Sequence, residues 1–337
     1  MKVRILSRQL TDDELRPLEP DEVVVQLSRL PTDAQFDRLA SILEARPDAG
    51  LRLNDGEGGW MQDLDFLRFF PFLRHFQVDS YRYLRSLDGL RHLTDLESLR
   101  VGSTKRPLSL KPIENFTGIR LLSVEGQHRD YEAISALTAL EDLTLRSVTL
   151  PDLSVLLPLD RLRRLDIKLG GTRELGLLPR IGRLEYLELW QIRGLDDVTA
   201  SANVETLQHL FLQALRQVTR LPSFARSTAL RRVDLDTMKG LTDLAPLAEA
   251  PKLEILNLIA MRHAAPEILR PFVGHPTLRA GIWGFGSDRK NFAAQDLLPL
   301  PPEPYRYAIV RRGDVATPDG PPWDAPDWPG FRSADVR

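Results

Sequence analysis

Histidines are the first candidates for chemistry in this sequence, since the chain of 337 residues contains six of them and no Cys. Without Cys the chain cannot form disulfides, thiolate metal sites, iron–sulfur clusters or a Cys nucleophile. The histidines also show no HExxH or other metal-ligand spacing. We therefore expect ordinary surface histidines and no metal site. The six are His75, His92, His128, His209, His263 and His275.

Two glycine-containing segments resemble ligand-binding loops only superficially. Residues 54–59 read Asn-Asp-Gly-Glu-Gly-Gly, but they lack the alternating ligands and the terminal Glu of a calcium loop, so a surface turn is expected. Gly281, Gly284 and Gly286 lack the Lys-Ser/Thr that would follow in a phosphate-binding loop. A G-x-S-x-G motif is also missing, and no catalytic carboxylate pair can be told from surface charges. The sequence therefore predicts a protein that is not an enzyme and that binds no cofactor.

Charge and hydropathy argue against nucleic acid and membranes as partners. The chain has 45 Lys and Arg against 47 Asp and Glu, a net charge of −2, so no overall charge drives it toward nucleic acid or anionic membranes. No stretch approaches the roughly 20 apolar residues of a transmembrane helix, and the start lacks the apolar core of a signal peptide. We expect a cytoplasmic protein with a protein partner, and secretion by a signal-independent route stays open. The Cys-free composition, rich in Arg and Asp, is compatible with a bacterial origin.

Leucine indicates the scaffold that positions the other side chains. It accounts for 60 of the 337 residues and recurs at a regular spacing. The string LxxLxL, with Ile, Val or Phe allowed, occurs in nine copies spaced by 21–23 residues. The last three residues of each copy alternate apolar, polar, apolar, which is typical of a short strand with one buried face. The copies begin at Leu73, Leu96, Ile119, Leu140, Leu162, Leu184, Leu207, Leu230 and Leu253.

Between the copies, apolar residues spaced by three, as in Ile134 and Leu137, predict a single helical or 3₁₀ turn. One unit of strand and turn cannot bury its own apolar edge, so neighbouring units must stack. The pattern resembles the leucine-rich repeat family, in particular its short class of internalin-type and SDS22-type proteins. The resemblance implies an α/β solenoid shaped as a curved arc or horseshoe, with a parallel β-sheet on its concave face and short helical or 3₁₀ turns on its convex face. It also implies a role in protein recognition.

The sequence departs from this family at one position. The family usually carries Asn three residues after the last strand leucine, where the amide satisfies buried backbone groups. Because most residues there are apolar in this chain, we expect side-chain packing to hold the turn instead. The residues at this position are Thr104, Gln127, Val148, Gly170, Ile192, Leu215, Met238 and Met261.

The two ends are less regular than the middle. Residues 22–27 read as a strand, and Thr32-x-x-Gln35 is a capping box that opens a helix ending near Pro47. Residues 278–283 read as a decayed last copy, and residues 299–337 carry nine prolines. We predict an irregular N-terminal cap with longer, helix-bearing units over 1–60 and a leucine-rich-repeat solenoid over 61–285. Residues 286–337 are predicted to form a Pro-rich, partly disordered C-terminal cap or tail, in which the run 305–310 could pair with the last strand.

Function should lie in the outward side chains of the sheet. Tyr186, Trp190 and Phe211 occupy outward positions on adjacent repeats, and exposed aromatics on a rigid sheet are common protein-binding anchors. By the same alternation Leu210 is buried and Glu188 is exposed, so Glu188→Ala should change stability by no more than about 0.5 kcal/mol. The predicted partner-binding residues are Arg146, Arg164, Asp166, Lys168, Tyr186, Glu188, Trp190, Phe211, Gln213, Asp234 and Asp236.

The preferred hypothesis is a non-catalytic protein-interaction module that binds its partner on the concave face. The alternative is a substrate-recognition or adaptor subunit of an enzyme complex, including a bacterial effector or toxin-immunity role. A purely structural surface protein is the weakest option, because no secretion signal is visible. The aromatic cluster could also pack against residues 299–337 instead of a partner.

Overall fold

A computed structural model of the chain describes residues 2–6, 10–54, 61–79 and 83–302. Its strands form an open, parallel sheet of 13 strands in strict chain order. The strands are β1 (Lys2–Leu6), β2 (Glu22–Leu27), β3 (Gly50–Leu53), β4 (His75–Val78), β5 (Ser98–Val101), β6 (Leu121–Glu125), β7 (Asp142–Arg146), β8 (Arg164–Lys168), β9 (Tyr186–Trp190), β10 (His209–Gln213), β11 (Arg232–Asp236), β12 (Ile255–Ile259) and β13 (Ala280–Trp283).

Each LxxLxL copy contributes one of these strands, and its leucines point into the core. Leu187 and Leu189 of β9 pair in register with Leu210 and Leu212 of β10, and all four are at most 1% exposed. Stacking identical positions in this way buries the apolar edge that a single repeat would leave in water. The predicted parallel solenoid of leucine-rich repeats is therefore confirmed.

Short helical turns return the chain from one strand to the next, as the apolar spacing of three predicts. Three α-helices are present among the described residues: α1 (Asp33–Glu44), α2 (Ala245–Ala248) and α3 (Asp288–Leu297). The 3₁₀ turns are Asp13–Leu15, Asp65–Phe69, Asp88–His92, Lys111–Ile113, Tyr131–Ala136, Ser154–Leu156, Leu178–Arg180, Thr199–Asn203 and Pro266–Phe272. In the described part of the chain, no helix has the length and apolar content needed to cross a membrane.

A left-handed residue ends many of the strands, two positions after the last buried strand leucine. Non-glycine residues with φ of 50–57° stand there at Ser147, Leu169, Gln191, Ala214 and Thr237. Each of these residues donates its N–H to a carbonyl of the next repeat, at 2.7–2.9 Å. An ordinary side chain tolerates this sparsely populated conformation when the surrounding structure holds it in place. The repeated hydrogen bond does so here.

The turns that lack the family's Asn are held as expected. Val148, Ile192, Leu215, Met238 and Met261 are buried, so apolar packing replaces the missing amides.

Gln127 is the exception, because its amide does what the family's Asn would do. Its Nε2 donates to the carbonyl of Gly102 at 2.9 Å, and its Oε1 accepts from the N–H of Leu108 at 2.6 Å. Gln127 is fully buried, so its amide satisfies these two backbone groups away from water.

The chain divides into two compact units, the first ending at Leu143 and the second beginning at Thr144. In the first unit, Thr32 and Gln35 form the predicted capping box at the start of α1. Residues 2–6 form an additional parallel strand on β2, and the buried side chain of Arg4 pairs there with Glu22. The predicted N-terminal cap therefore includes a strand of the sheet itself.

The second unit ends in β13 and α3. The decayed copy at 278–283 forms β13 as predicted, whereas α3 was not expected from the sequence. Trp283 Nε1 donates to the carbonyl of Leu298 at 3.2 Å, and the N–H of Gly281 donates to that of Pro301 at 3.0 Å. Residues 298–301 thus run along the outer edge of β13. The predicted boundaries after residues 60 and 285 remain predictions, and the loop at 55–59 and the run 305–310 lie outside the described residues.

Leu210→Ala should lower the free energy of unfolding by about 2–5 kcal/mol, because it removes a fully buried side chain between two repeats. Urea denaturation followed by circular dichroism measures this loss. Thr219→Ala is the control, since Thr219 is exposed and its replacement should leave the midpoint nearly unchanged. Equal effects of the two substitutions would contradict the inward orientation of Leu210.

Candidate functional site

The predicted partner-binding residues all lie on one face of the sheet in the second unit, the face opposite the leucine core. We call it the polar face: the side chains of β7–β12 at the positions just before, between and just after the two buried residues. In-register pairing places Lys168 beside Trp190, Trp190 beside Gln213, and Gln213 beside Asp236. The residues that the sequence grouped are therefore brought together in space.

Most of this face is buried, and the prediction of an exposed aromatic centre is wrong for Tyr186 and Phe211, which are 1% and 3% exposed. The alternation of apolar and polar residues identifies which face of the sheet a side chain is on. Whether that side chain is exposed also depends on its contacts with side chains of the neighbouring strands. The buried members of the predicted site are Arg164, Asp166, Lys168, Tyr186, Glu188, Phe211, Asp234 and Asp236.

One buried ionic cluster lies on β8 and β9 and centres on Lys168. The Lys168 ammonium donates to Asp166 Oδ2 at 3.1 Å and to Glu188 Oε2 at 2.8 Å. The Tyr186 hydroxyl donates to the same Glu188 oxygen at 3.1 Å. The Arg164 guanidinium lies 3.7 Å from the centre of the Tyr186 ring, in cation–π contact. The charged side chains of this cluster are almost entirely removed from solvent, so each charge depends on its partners.

A second buried cluster lies on β10–β12 and centres on Asp234. Its carboxylate accepts hydrogen bonds from His209 Nε2 at 2.5 Å, Arg232 Nε at 2.9 Å and Asn257 Nδ2 at 2.5 Å. The ring of His209 meets the ring of Tyr186 edge-on at 4.8 Å, which joins the two clusters. The joined network holds three cations and three anions besides His209, so its charges balance.

Burial and charge set the protonation of this network. Burial lowers the pKa of His209 to about 4, even though the neighbouring Asp234 opposes the shift. Burial alone would raise the pKa of Asp234, but His209 and Arg232 outweigh it and lower that pKa to about 2. Since Arg232 already neutralises Asp234, a proton on His209 would leave an excess buried charge. His209 is therefore neutral and Asp234 ionised at neutral pH.

A His–Asp pair of this kind can orient a general base in an enzyme. Here both side chains are 0% exposed, so no substrate reaches them in this structure. Among the described residues, no group of three or more His, Asp or Glu is placed to hold a metal ion.

Sequence reasoning missed His209, Arg232 and Asn257 as members of the network. They occupy outward-facing positions of β10, β11 and β12. The alternation of apolar and polar residues gives those positions, but it does not show that the three side chains are buried. The expectation of surface histidines is likewise wrong for His209 and for His75, which is 5% exposed and bonded to Ser98 at 3.0 Å. Burial lowers the pKa of His75 to about 4 as well.

On β9, β10 and β12 the accessible residues of the polar face are those at the carboxyl ends of the strands. Arg146, Trp190 and Gln213, the last residues of β7, β9 and β10, are half-buried. The Arg146 guanidinium stands 5.3 Å from the centre of the Trp190 ring, and Gln213 Nε2 donates to Asp236 Oδ2 at 2.9 Å. Burial raises the pKa of Asp236. Arg146, Trp190 and Gln213 form the accessible edge of the face.

Comparison with known proteins identifies the fold. No protein-family model matches the chain, and no curated protein matches its sequence. An internalin from Listeria monocytogenes is similar in structure over 84% of this chain and 78% of its own, with 18% sequence identity and a TM-score of 0.58. A leucine-rich-repeat protein from Leptospira interrogans is similar over 83% of this chain and 64% of its own, with 16% identity and a TM-score of 0.51. At these identities the likeness concerns the fold alone.

Glu188→Ala should lower the free energy of unfolding by about 3 kcal/mol, because it removes a carboxylate that Lys168 and Tyr186 share in a buried site. This replaces the expectation of a neutral change, which assumed an exposed side chain. Glu205→Ala is the matched control on an exposed glutamate and should cost no more than about 0.5 kcal/mol. Urea denaturation compares them, and a Glu188→Ala protein as stable as the control would show that the cluster contributes nothing.

Stability should fall as the pH drops from about 6.5 to about 4. In this range the unfolded chain binds a proton at His209 that the folded protein excludes, so stability rises with pH; the full effect is about 3 kcal/mol. His209→Gln removes this titration and should flatten the pH dependence of the unfolding midpoint. The slope that remains should come largely from His75, whose pKa is also about 4. An unchanged slope in His209→Gln would mean that His209 titrates normally.

Proposed function

We propose that this leucine-rich-repeat solenoid is a protein-binding module whose partner docks at the carboxyl-end edge of the polar face. The observation that carries the proposal is Trp190, which is partly exposed on a rigid strand with the Arg146 guanidinium against its ring. Trp and Arg are the residue types most enriched among the anchors of protein interfaces. Gln213 and Asp236 beside them add polar groups of the kind that set register in such interfaces.

The buried clusters support this edge from below. Lys168 pairs with Trp190 in the sheet, and its ammonium is held by Asp166 and Glu188. A strand held in place in this way presents Trp190 from a preformed backbone, which lowers the entropy lost when a partner binds. In this proposal the buried members of the predicted site, Asp236 among them, lie behind the edge, and the contact itself is made by Arg146, Trp190 and Gln213.

The alternative role, as a recognition or adaptor subunit of an enzyme complex, uses the same edge and differs in the identity of the partner. Purification of the tagged full chain from its source cells, followed by mass spectrometry, separates the two roles. A captured enzyme whose activity changes when the chain binds would favour the adaptor or toxin-immunity role. A captured protein without catalytic activity would favour the simple binding module.

Trp190→Ala should weaken the partner's binding by about tenfold or more, because it removes the aromatic anchor and leaves Arg146 without its stacking surface. Isothermal titration calorimetry with the purified partner measures the change in Kd. The control is Phe292→Ala on α3, which removes an aromatic side chain that is 68% exposed and distant in sequence from the edge. If both variants bind the partner like the unmodified chain, the assignment of the edge is wrong.

A further inference from the structure

A row of cations lies in the turns that follow the strands, outside the strand positions that form the polar face. Arg193, Arg216, Lys239 and Arg262 each stand four residues after the last buried strand leucine, and successive members are 23 residues apart. We call these four residues the basic row. All four are exposed, in contrast to the buried cations of the polar face. The row therefore recurs with the repeat while contributing nothing to the core.

The turn geometry brings these cations into line. Each follows a left-handed residue by two positions, and the φ values at Gln191, Ala214, Thr237 and Ala260 agree within 50–56°. The strands that lead into these turns, β9–β12, pair without a register shift. Because parallel strands lie about 4.8 Å apart, the side chains of the row start from backbone positions separated by about that distance.

The row is not neutralised by the part of the protein that the structure describes. No described carboxylate forms an ion pair with any of its four members. Arginines that precede the strands do form ion pairs: the half-buried Arg163 contacts Glu185 at 2.7 Å, and the exposed Arg231 and Arg279 both contact Glu254. Like charges at neighbouring exposed positions repel each other, and binding an anion relieves this repulsion.

A groove opens at the β8 end of the row. In the β8 repeat, Gly171 occupies the position that corresponds to Arg193, and Gly170 precedes it. Neither residue has a side chain to fill the space. The groove has a volume of about 560 Å³, and its lining includes Ser147, Thr149, Gln191, Arg193, Arg216 and Gln217. A Cβ atom at Gly170 would lie 2.1 Å from the Val148 carbonyl oxygen, so the close approach of the two turns requires glycine there.

We propose that the basic row and this groove bind an extended acidic segment of a partner protein. Successive side chains on one face of an extended chain are about 6.6–6.8 Å apart, a spacing that long Arg and Lys side chains can match from positions about 4.8 Å apart. Arg193 and Arg216 belong to both the row and the groove, so one segment can lie along both. Ser147, Thr149, Gln191 and Gln217 offer hydrogen-bonding groups to its backbone.

Two features favour a polypeptide over a nucleic acid. Proteins that hold single strands stack the bases on aromatic side chains, and the lining residues of this groove include no aromatic one. The chain as a whole carries a net charge of −2, so it lacks the broad positive field that attracts a phosphate backbone. A single line of four cations instead matches a single line of carboxylates.

The test uses the full chain and three fluorescein-labelled probes: a dodecamer of Glu, an uncharged Gly-Ser dodecamer and a dodecamer of deoxythymidine. Fluorescence anisotropy at 50 mM and 300 mM NaCl gives the affinities. We expect the Glu peptide to bind best, with affinity that falls as salt rises. The row variant R193Q/R216Q/K239Q/R262Q should weaken this binding at least tenfold. The variant R216Q alone should weaken it about twofold to threefold, which keeps the test valid if the fourfold variant folds poorly.

The matched control is R161Q/R183Q/R226Q/K252Q, which removes the same charge from exposed residues that precede the strands. It should weaken binding of the Glu peptide less than twofold. Equal losses in the two fourfold variants would overturn the proposal, because bulk charge alone would then explain the binding. Tighter binding of the thymidine probe, or no salt-dependent binding of the Glu peptide, would overturn it too.

Discussion

The stacking of apolar repeat edges is the interaction on which the rest of this structure depends. No repeat can bury its own leucines, so Leu189 of one repeat needs Leu212 of the next, at the same place in the sheet. This need sets the register of neighbouring strands in β8–β12. It also holds non-glycine residues such as Gln191 and Ala214 in the left-handed region, since the N–H of each bonds to the following repeat.

The same register determines the chemistry of the polar face. It places outward side chains of adjacent strands side by side, where ionised groups of like sign would repel each other. In this chain Lys168 lies between two carboxylates, and Asp234 lies among three donors. Side chains of neighbouring strands on this face therefore complement each other in charge and in hydrogen bonding. A face built in this way is largely buried, and its accessible edge includes Arg146 and Trp190.

The leucine spacing made the fold predictable from sequence, down to the last strand at 280–283, because it reports the core directly. The missing Asn positions were predictable for the same reason, and Ile192 and Met238 are packed as expected. Helix α3 was not predictable, since Ala294 is its only fully buried residue and its apolar periodicity is weak. The burial of Glu188 and His209 also escaped prediction, because their partners come from other residues across the sheet, and the alternation along one strand does not show them.

A repeat protein can carry separate surfaces, because the residues at one position of successive repeats lie beside one another and form a column of side chains. The leucine columns fix the scaffold, and the columns of the polar face are tied to one another by buried ion pairs, so a substitution such as Glu188→Ala must disturb both stability and surface. The basic row neither packs in the core nor pairs with other columns, because its side chains are exposed and belong to no described ion pair. Charge that recurs every 23 residues without serving the core adds repulsion to the folded chain, and an anionic ligand that spans several repeats would relieve it along the whole row.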